Sequence, residues 1–159
     1  MKKAAFPGSF DPPTLGHINI IQRASLIFDE LLVIVAENRS KKYLFSGSER
    51  MDLVTSLIKP WKNVSAALCT GLIVDFVRER EIPILLRGVR GEGDFSYEFE
   101  LSMMNKALNP GIETVFMTTD PEYFVLRSSS IKELASFGGD VSAMVPEAVS
   151  SALKTKFFG

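Results

Sequence analysis

The chain predicts an α/β fold of the doubly wound type, with a five-stranded parallel sheet and helices on both faces. Three observations lead there. Short apolar runs alternate with longer amphipathic segments from end to end. Runs such as Leu31 to Ala36 are continuously apolar, as strands buried on both faces are. Polar motifs bearing glycine, arginine or serine follow several of these runs, where the carboxyl ends of parallel strands form a binding crevice.

The elements follow in order. Lys3 to Phe6 is the first strand, and Ile18 to Phe28 a helix with Ile18, Ile21 and Phe28 on one face. Leu31 to Ala36 is the second strand. Ser48-Glu49-Arg50 opens a helix that runs to about Ile58 and stops at Pro60. Val64 to Leu68 reads as a strand, Leu72 to Arg80 as a helix, and Ile82 to Leu86 as a strand. Asp94 to Leu108 is the longest helix, ended by Asn109-Pro110-Gly111. Glu113 to Met117 is the fifth strand, and helices at Ser129 to Ser136 and Pro146 to Lys156 close the chain. Strand–helix alternation of this kind favours parallel pairing with right-handed crossovers. No linker, repeat or low-complexity segment divides residues 1–159, so one domain is expected.

Composition narrows the function. A hydrophobic share of 46% and a mean hydropathy of +0.14 argue against disorder. A net charge of -1 disfavours a nucleic-acid binder that works by bulk basic charge. The single cysteine, Cys69, excludes an internal disulfide and a multi-cysteine zinc site, and reads as a small buried hydrophobe. No window holds 18 uncharged apolar residues and no leader pattern precedes Pro7-Gly8, so a cytoplasmic protein without a membrane span is expected.

Four clusters carry chemistry. Phe6-Pro7-Gly8-Ser9-Phe10-Asp11-Pro12-Pro13-Thr14-Leu15-Gly16-His17 joins the first strand to the first helix and holds the only histidine. Free backbone N–H groups at a helix start attract phosphate. The same helix end disfavours an added positive charge, so His17 is expected to be neutral. Arg87-Gly88-Val89-Arg90 follows a buried strand, and its guanidinium groups want either phosphates or the neighbouring Asp94, Glu98 and Glu100. In Arg127-Ser128-Ser129-Ser130-Ile131-Lys132-Glu133, Ser130 and Glu133 have capping-box spacing, while Arg127, Ser128 and Ser129 suggest a second phosphate cradle. Ser40-Lys41-Lys42 lies beyond the second strand, as surface lysines or as a phosphate ligand. Neither G-x-x-x-x-G-K-[ST] nor G-x-G-x-x-G occurs, which disfavours a P-loop kinase and a dinucleotide dehydrogenase.

Taken in order, these clusters resemble the nucleotidylyltransferase superfamily, and most closely the bacterial phosphopantetheine adenylyltransferases, over nearly the whole chain. The resemblance implies adenylyl transfer from ATP to 4′-phosphopantetheine, with magnesium, giving dephospho-coenzyme A and pyrophosphate by direct in-line attack. It places Ser9, Phe10, His17, Gly88, Val89, Arg90, Glu98 and the segment Tyr123, Phe124, Val125, Leu126, Arg127, Ser128 and Ser129 at ATP. It places Ser9, Lys41, Ile73 and Arg87 at phosphopantetheine. His17, Lys41, Arg90 and Ser128 would stabilise the transition state. Ser9 stands where the family often has threonine, and Tyr123-Phe124-Val125-Leu126 departs from versions that contain tryptophan. The resemblance also implies a homohexamer, with coenzyme A as a feedback ligand. The apolar Ala152-Leu153 and Phe157-Phe158 suit either association or core covering. Rival readings are a related enzyme acting on nicotinate mononucleotide or glycerol phosphate, and a non-catalytic nucleotide-binding domain.

Overall fold

The computed structural model describes residues 1–159. Its strands are β1 (Lys3–Gly8), β2 (Glu30–Ala36), β3 (Val64–Cys69), β4 (Ile84–Val89) and β5 (Glu113–Thr118). Its helices are α1 (Leu15–Ser25), α2 (Gly47–Leu57), α3 (Ile73–Glu79), α4 (Glu92–Leu108), α5 (Ser128–Ser136) and α6 (Glu147–Phe158), with a short 3₁₀ turn at Pro121–Tyr123. The strands form one all-parallel sheet in the order β3-β2-β1-β4-β5. The expected doubly wound architecture is therefore present.

Alternate side chains of the central strands feed two cores, because successive residues of a strand point to opposite faces. Ala4, Phe6, Val33 and Val35 pack with Ile20, Ile21 and Ala24 of α1 and Val54 of α2. Ala5, Ile34 and Leu85 pack with Val74 and Val77 of α3 on the other face. On that same side Phe95 of α4 meets Phe116 of β5 edge-on at 5.3 Å between ring centroids. Ile131 and Ala135 of α5 form a third core with Phe45 and with Val149 and Leu153 of α6. Leu153 is thus a core residue and Phe158 remains exposed, so the apolar C-terminal helix chiefly covers the core.

Several boundaries differ from the sequence reading. β4 begins at Ile84 rather than Ile82 and extends through Arg87 and Gly88, because its pairing with β5 continues to Val89↔Thr118. Glu81 adopts a positive φ of 53° and Pro83 lacks an N–H, which delays the strand. α1 starts three residues earlier than expected. Thr14 caps it, with its hydroxyl accepting from His17 N–H at 3.3 Å. α2 is capped by Ser46, with Glu49 reaching back to the Ser46 N–H at 2.7 Å. The expected Ser130–Glu133 capping box is absent. Arg127 is the N-cap of α5, so Ser130 already lies inside the helix.

One feature of the sheet makes room for a site. β1 and β4 pair only through Ala4↔Ile84 and Ala5↔Leu85. Beyond them Pro7 has no N–H to offer, and the strands part. The strand order also reverses here, the topological switch point at which doubly wound sheets bind ligands.

Candidate active site

Two cavities open from the parted strands. The first, of about 580 Å³, is lined by Ser9, Lys41, Ile73, Arg87 and Glu98 among others. The second, of about 380 Å³, is lined by Ser9, His17, Arg87, Gly88, Arg90 and Glu98, with Leu126, Arg127, Ser128 and Ser129 on its far side. A smaller hollow of about 210 Å³ brings Ser9, Phe10, His17, Lys41 and Ser128 together. Most residues picked out in the sequence thus converge. Val89 is buried in the sheet, and Tyr123, Phe124 and Val125 do not line these three hollows.

His17 is held by its own helix cap. The Thr14 N–H donates to Nδ1 at 3.0 Å. A backbone N–H can only donate, so Nδ1 is the acceptor and the neutral ring carries its proton on Nε2. Thr119 Oγ1 is the only buried side-chain polar atom without a partner. The Nε2–H, which has no partner in the chain, therefore opens into the crevice. Burial, followed by the charges of Arg90 and Arg87, pushes the imidazole from 6.5 down to about 4. The expected neutral histidine is present, with desolvation and two arginines acting on it. The Phe10 ring packs behind the imidazole at 4.8 Å and against Phe6 at 5.7 Å. Phe10 itself takes a positive φ of 49°. Gly8 makes room for its ring, since a Cβ at Gly8 would lie 3.0 Å from Phe10 Cε2.

Both arginines of the second cluster have carboxylate partners. Arg87 Nε and Nη2 each reach a Glu98 oxygen at 2.6 Å, and Nη1 donates to the Pro7 carbonyl at 2.6 Å. Arg87 thereby bridges the gap between β4 and β1. Arg90 Nε donates to Asp94 Oδ2 at 2.8 Å and Nη1 to the Leu126 carbonyl at 2.6 Å. Burial raises the Asp94 pKa, but the hydrogen bonds and charge of Arg90 outweigh it and hold the carboxyl below its ordinary value. The ion-pair reading of these arginines is correct for the free protein, and both guanidinium groups still line the cavities.

The start of α5 forms the far wall. No side chain caps it. Its first-turn N–H groups, at Ser128, Ser129 and Ser130, have no backbone partner. The Ser128 hydroxyl donates to the Pro12 carbonyl at 2.9 Å, which ties this wall to the first loop. Lys41 is exposed at the mouth of the first cavity and the smaller hollow.

Sequence reasoning passed over several residues. Asp11 is buried and accepts from Leu44 N–H and Phe45 N–H at 2.9 Å and from Lys132 Nζ at 3.0 Å. Asn19 and Asp120 exchange two hydrogen bonds that anchor the segment leading to Tyr123. Arg50 is wholly buried, and its position four residues before the buried Val54 was the available signal. No three His, Cys, Asp or Glu side chains converge to hold a metal.

Comparison with known proteins identifies the family. The sequence profile of the cytidylyltransferase-like family matches residues 5–134. A phosphopantetheine adenylyltransferase of Dictyoglomus thermophilum is 49% identical over 157 residues, covering 99% of this chain and 96% of the relative. One from Clostridium botulinum is 45% identical over 156 residues, covering 98% and 95%. The solved structure of a Vibrio parahaemolyticus protein assigned as a nicotinate-nucleotide adenylyltransferase superposes with a TM-score of 0.70 at 20% identity, covering 100% of this chain and 98% of that one. That likeness speaks to fold alone. With a matching profile and near-full-length relatives approaching half identity, the chain belongs to the phosphopantetheine adenylyltransferase family of cytidylyltransferase-like proteins.

Proposed function

We propose that residues 1–159 act as one nucleotidylyltransferase domain that transfers the adenylyl group of ATP to 4′-phosphopantetheine, in the synthesis of coenzyme A. The observation that carries this reading is the small hollow where Ser9, His17, Lys41 and Ser128 meet between the two larger cavities. A phosphate from each side can meet there. The second cavity, polar and walled by Arg90 and the α5 N-terminus, takes ATP. The first, with Leu72, Ile73 and Val74 along it, takes the pantetheine arm.

The attacking group is a phosphate oxygen of 4′-phosphopantetheine. It forms a bond to the α-phosphorus of ATP as the bond to the bridging β-phosphate oxygen breaks, and pyrophosphate leaves. An anionic nucleophile needs no strong base, so catalysis rests on positioning and charge stabilisation. His17 donates Nε2–H to an α-phosphoryl oxygen. Lys41 holds the attacking phosphate. Arg90 and the Ser128 N–H draw the charge that develops on pyrophosphate, since the Ser128 hydroxyl proton is directed to Pro12. Arg87 exchanges its Glu98 partner for the substrate phosphate.

The side chains present do not make a cage for magnesium. The carboxylates that line the three hollows, Asp11, Glu37, Asp94 and Glu98, are each engaged by cations or backbone N–H groups. Magnesium would arrive on the ATP phosphates and their waters, as it commonly does. Dephospho-coenzyme A, and coenzyme A as a feedback ligand, would lay the same arm in the 580 Å³ cavity. Phe95, Phe99 and Met103, four residues apart on α4, are about half exposed, an apolar stripe that supports assembly into a homohexamer. No helix is long and apolar enough to cross a membrane, which is compatible with a cytoplasmic enzyme.

The test supplies ATP with 4′-phosphopantetheine, nicotinate mononucleotide or glycerol 3-phosphate and measures pyrophosphate release. Release with 4′-phosphopantetheine alone is expected. Release only with another acceptor would overturn the reading.

A further inference from the structure

Arg50 has no exposed surface at all (0%). A guanidinium withdrawn from water is costly unless its donors are met. Here they are met by backbone carbonyls from three separate places. Nη1 donates to Ser9 O at 2.8 Å and to Ala36 O at 2.9 Å, and Nε donates to Phe45 O at 3.2 Å. Nη2 reaches Glu37 Oε1 at 3.3 Å. The Tyr43 ring covers the guanidinium, 3.9 Å from its central carbon, and the Tyr43 hydroxyl accepts the Asn38 N–H at 2.8 Å. Gly47 leaves the Glu37 carboxylate its space, since a Cβ there would lie 2.9 Å from Oε1.

Arg50 touches none of the reacting groups. Yet Ser9 lies on the loop after β1, and the remaining partners bracket the loop that carries Lys41. One planar fork thus fixes the two loops against each other. A lysine offers a compact charge without the fork and cannot span the same set of acceptors.

We propose that Arg50 is a positioning residue for adenylyl transfer, clamping the loop after β1 to the 37–45 loop and so setting Lys41 against Ser9. The proposal rests on the roles given above to those two residues. Misplacing a reacting group by about 1 Å can lower a rate by roughly 10²-fold, and Arg50 makes no direct bond to Arg90 or to the α5 wall.

The experiment compares the full-length wild type with Arg50→Lys and Tyr43→Phe. It measures kcat, both KM values and the thermal midpoint. Arg50→Lys is expected to lower kcat by about 10-fold or more per folded molecule, with KM for ATP within about 3-fold of wild type. Tyr43→Phe keeps the ring over the guanidinium and removes only the bond to Asn38. It is expected to lower kcat by about 3-fold at an unchanged thermal midpoint. Arg50→Met, which fills the same buried space without the donor fork, decides the matter if Arg50→Lys does not fold, with kcat again expected to fall by about 10-fold or more. An active wild type with kcat unaltered in the folded variants would overturn the clamp. A wild type inactive with 4′-phosphopantetheine would overturn the proposed function instead.

Discussion

The two cavities share Pro7, Gly8, Ser9, Arg87 and Glu98 but differ in the rest of their lining. The smaller is walled by a neutral histidine, arginines and the uncapped start of α5. The larger runs along Leu72, Ile73 and Val74 at the start of α3 and reaches Leu101 and Leu108 of α4. One side presents mostly charged and polar groups, whereas the other has a long apolar wall that suits the weakly polar arm of the proposed acceptor. The difference teaches that a single parting of β1 from β4 can serve two chemically unlike ligands, provided that different loops furnish the far walls.

Substitutions can break that division of labour. The largest effect is expected from His17→Ala, which removes one transition-state donor. Turnover should fall by roughly 10²-fold or more while folding is kept, as steady-state pyrophosphate release would show. Lys41→Ala should lower kcat by at least about 10-fold with a smaller change in KM for ATP. A rise in KM for ATP at normal kcat would place Lys41 on the wrong side of the divide. Ile73→Ala should act on the arm alone. Trimming the carbons with which it would cover the arm, at about 0.8 kcal/mol per CH₂ buried, should raise KM for 4′-phosphopantetheine several-fold and leave KM for ATP alone.

The smallest effect concerns stability. The unfolded imidazole binds its proton near 6.5 and the folded one near 4. Between these values the unfolded chain holds the extra proton, so stability must fall as pH drops through that window. In thermal melts the wild type should lose stability more steeply from pH 6.5 to pH 4 than His17→Gln. Parallel curves would contradict the depressed value.

Much of this was legible in the sequence. Continuous apolar runs such as Leu31 to Ala36 marked buried parallel strands, and they paired as expected. Ser9, His17, Arg87 and Arg90 were legible because glycine, histidine and arginine after a strand are chemically conspicuous. Their partners were not. Whether Arg87 meets Glu98 or a phosphate depends on the turn of α4, which periodicity does not determine. The Ser130–Glu133 spacing suggested a cap, but Arg127 adopts the extended N-cap conformation, and the helix begins earlier. Arg50 was read only as part of a helix start, because its carbonyl acceptors at Ser9, Ala36 and Phe45 are brought to it by the tertiary fold. The early start of α1 also passed unnoticed, since a histidine at the third helical position is an unusual partner for a threonine cap.

The central claim is that His17 enters the crevice as a neutral donor through Nε2. With only one histidine in the chain, its imidazole signals in an NMR titration of the free protein are unambiguous. The account predicts a midpoint near 4 and nitrogen shifts of a ring protonated at Nε2 and bare at Nδ1. A midpoint near 6.5, or a proton on Nδ1, would contradict it.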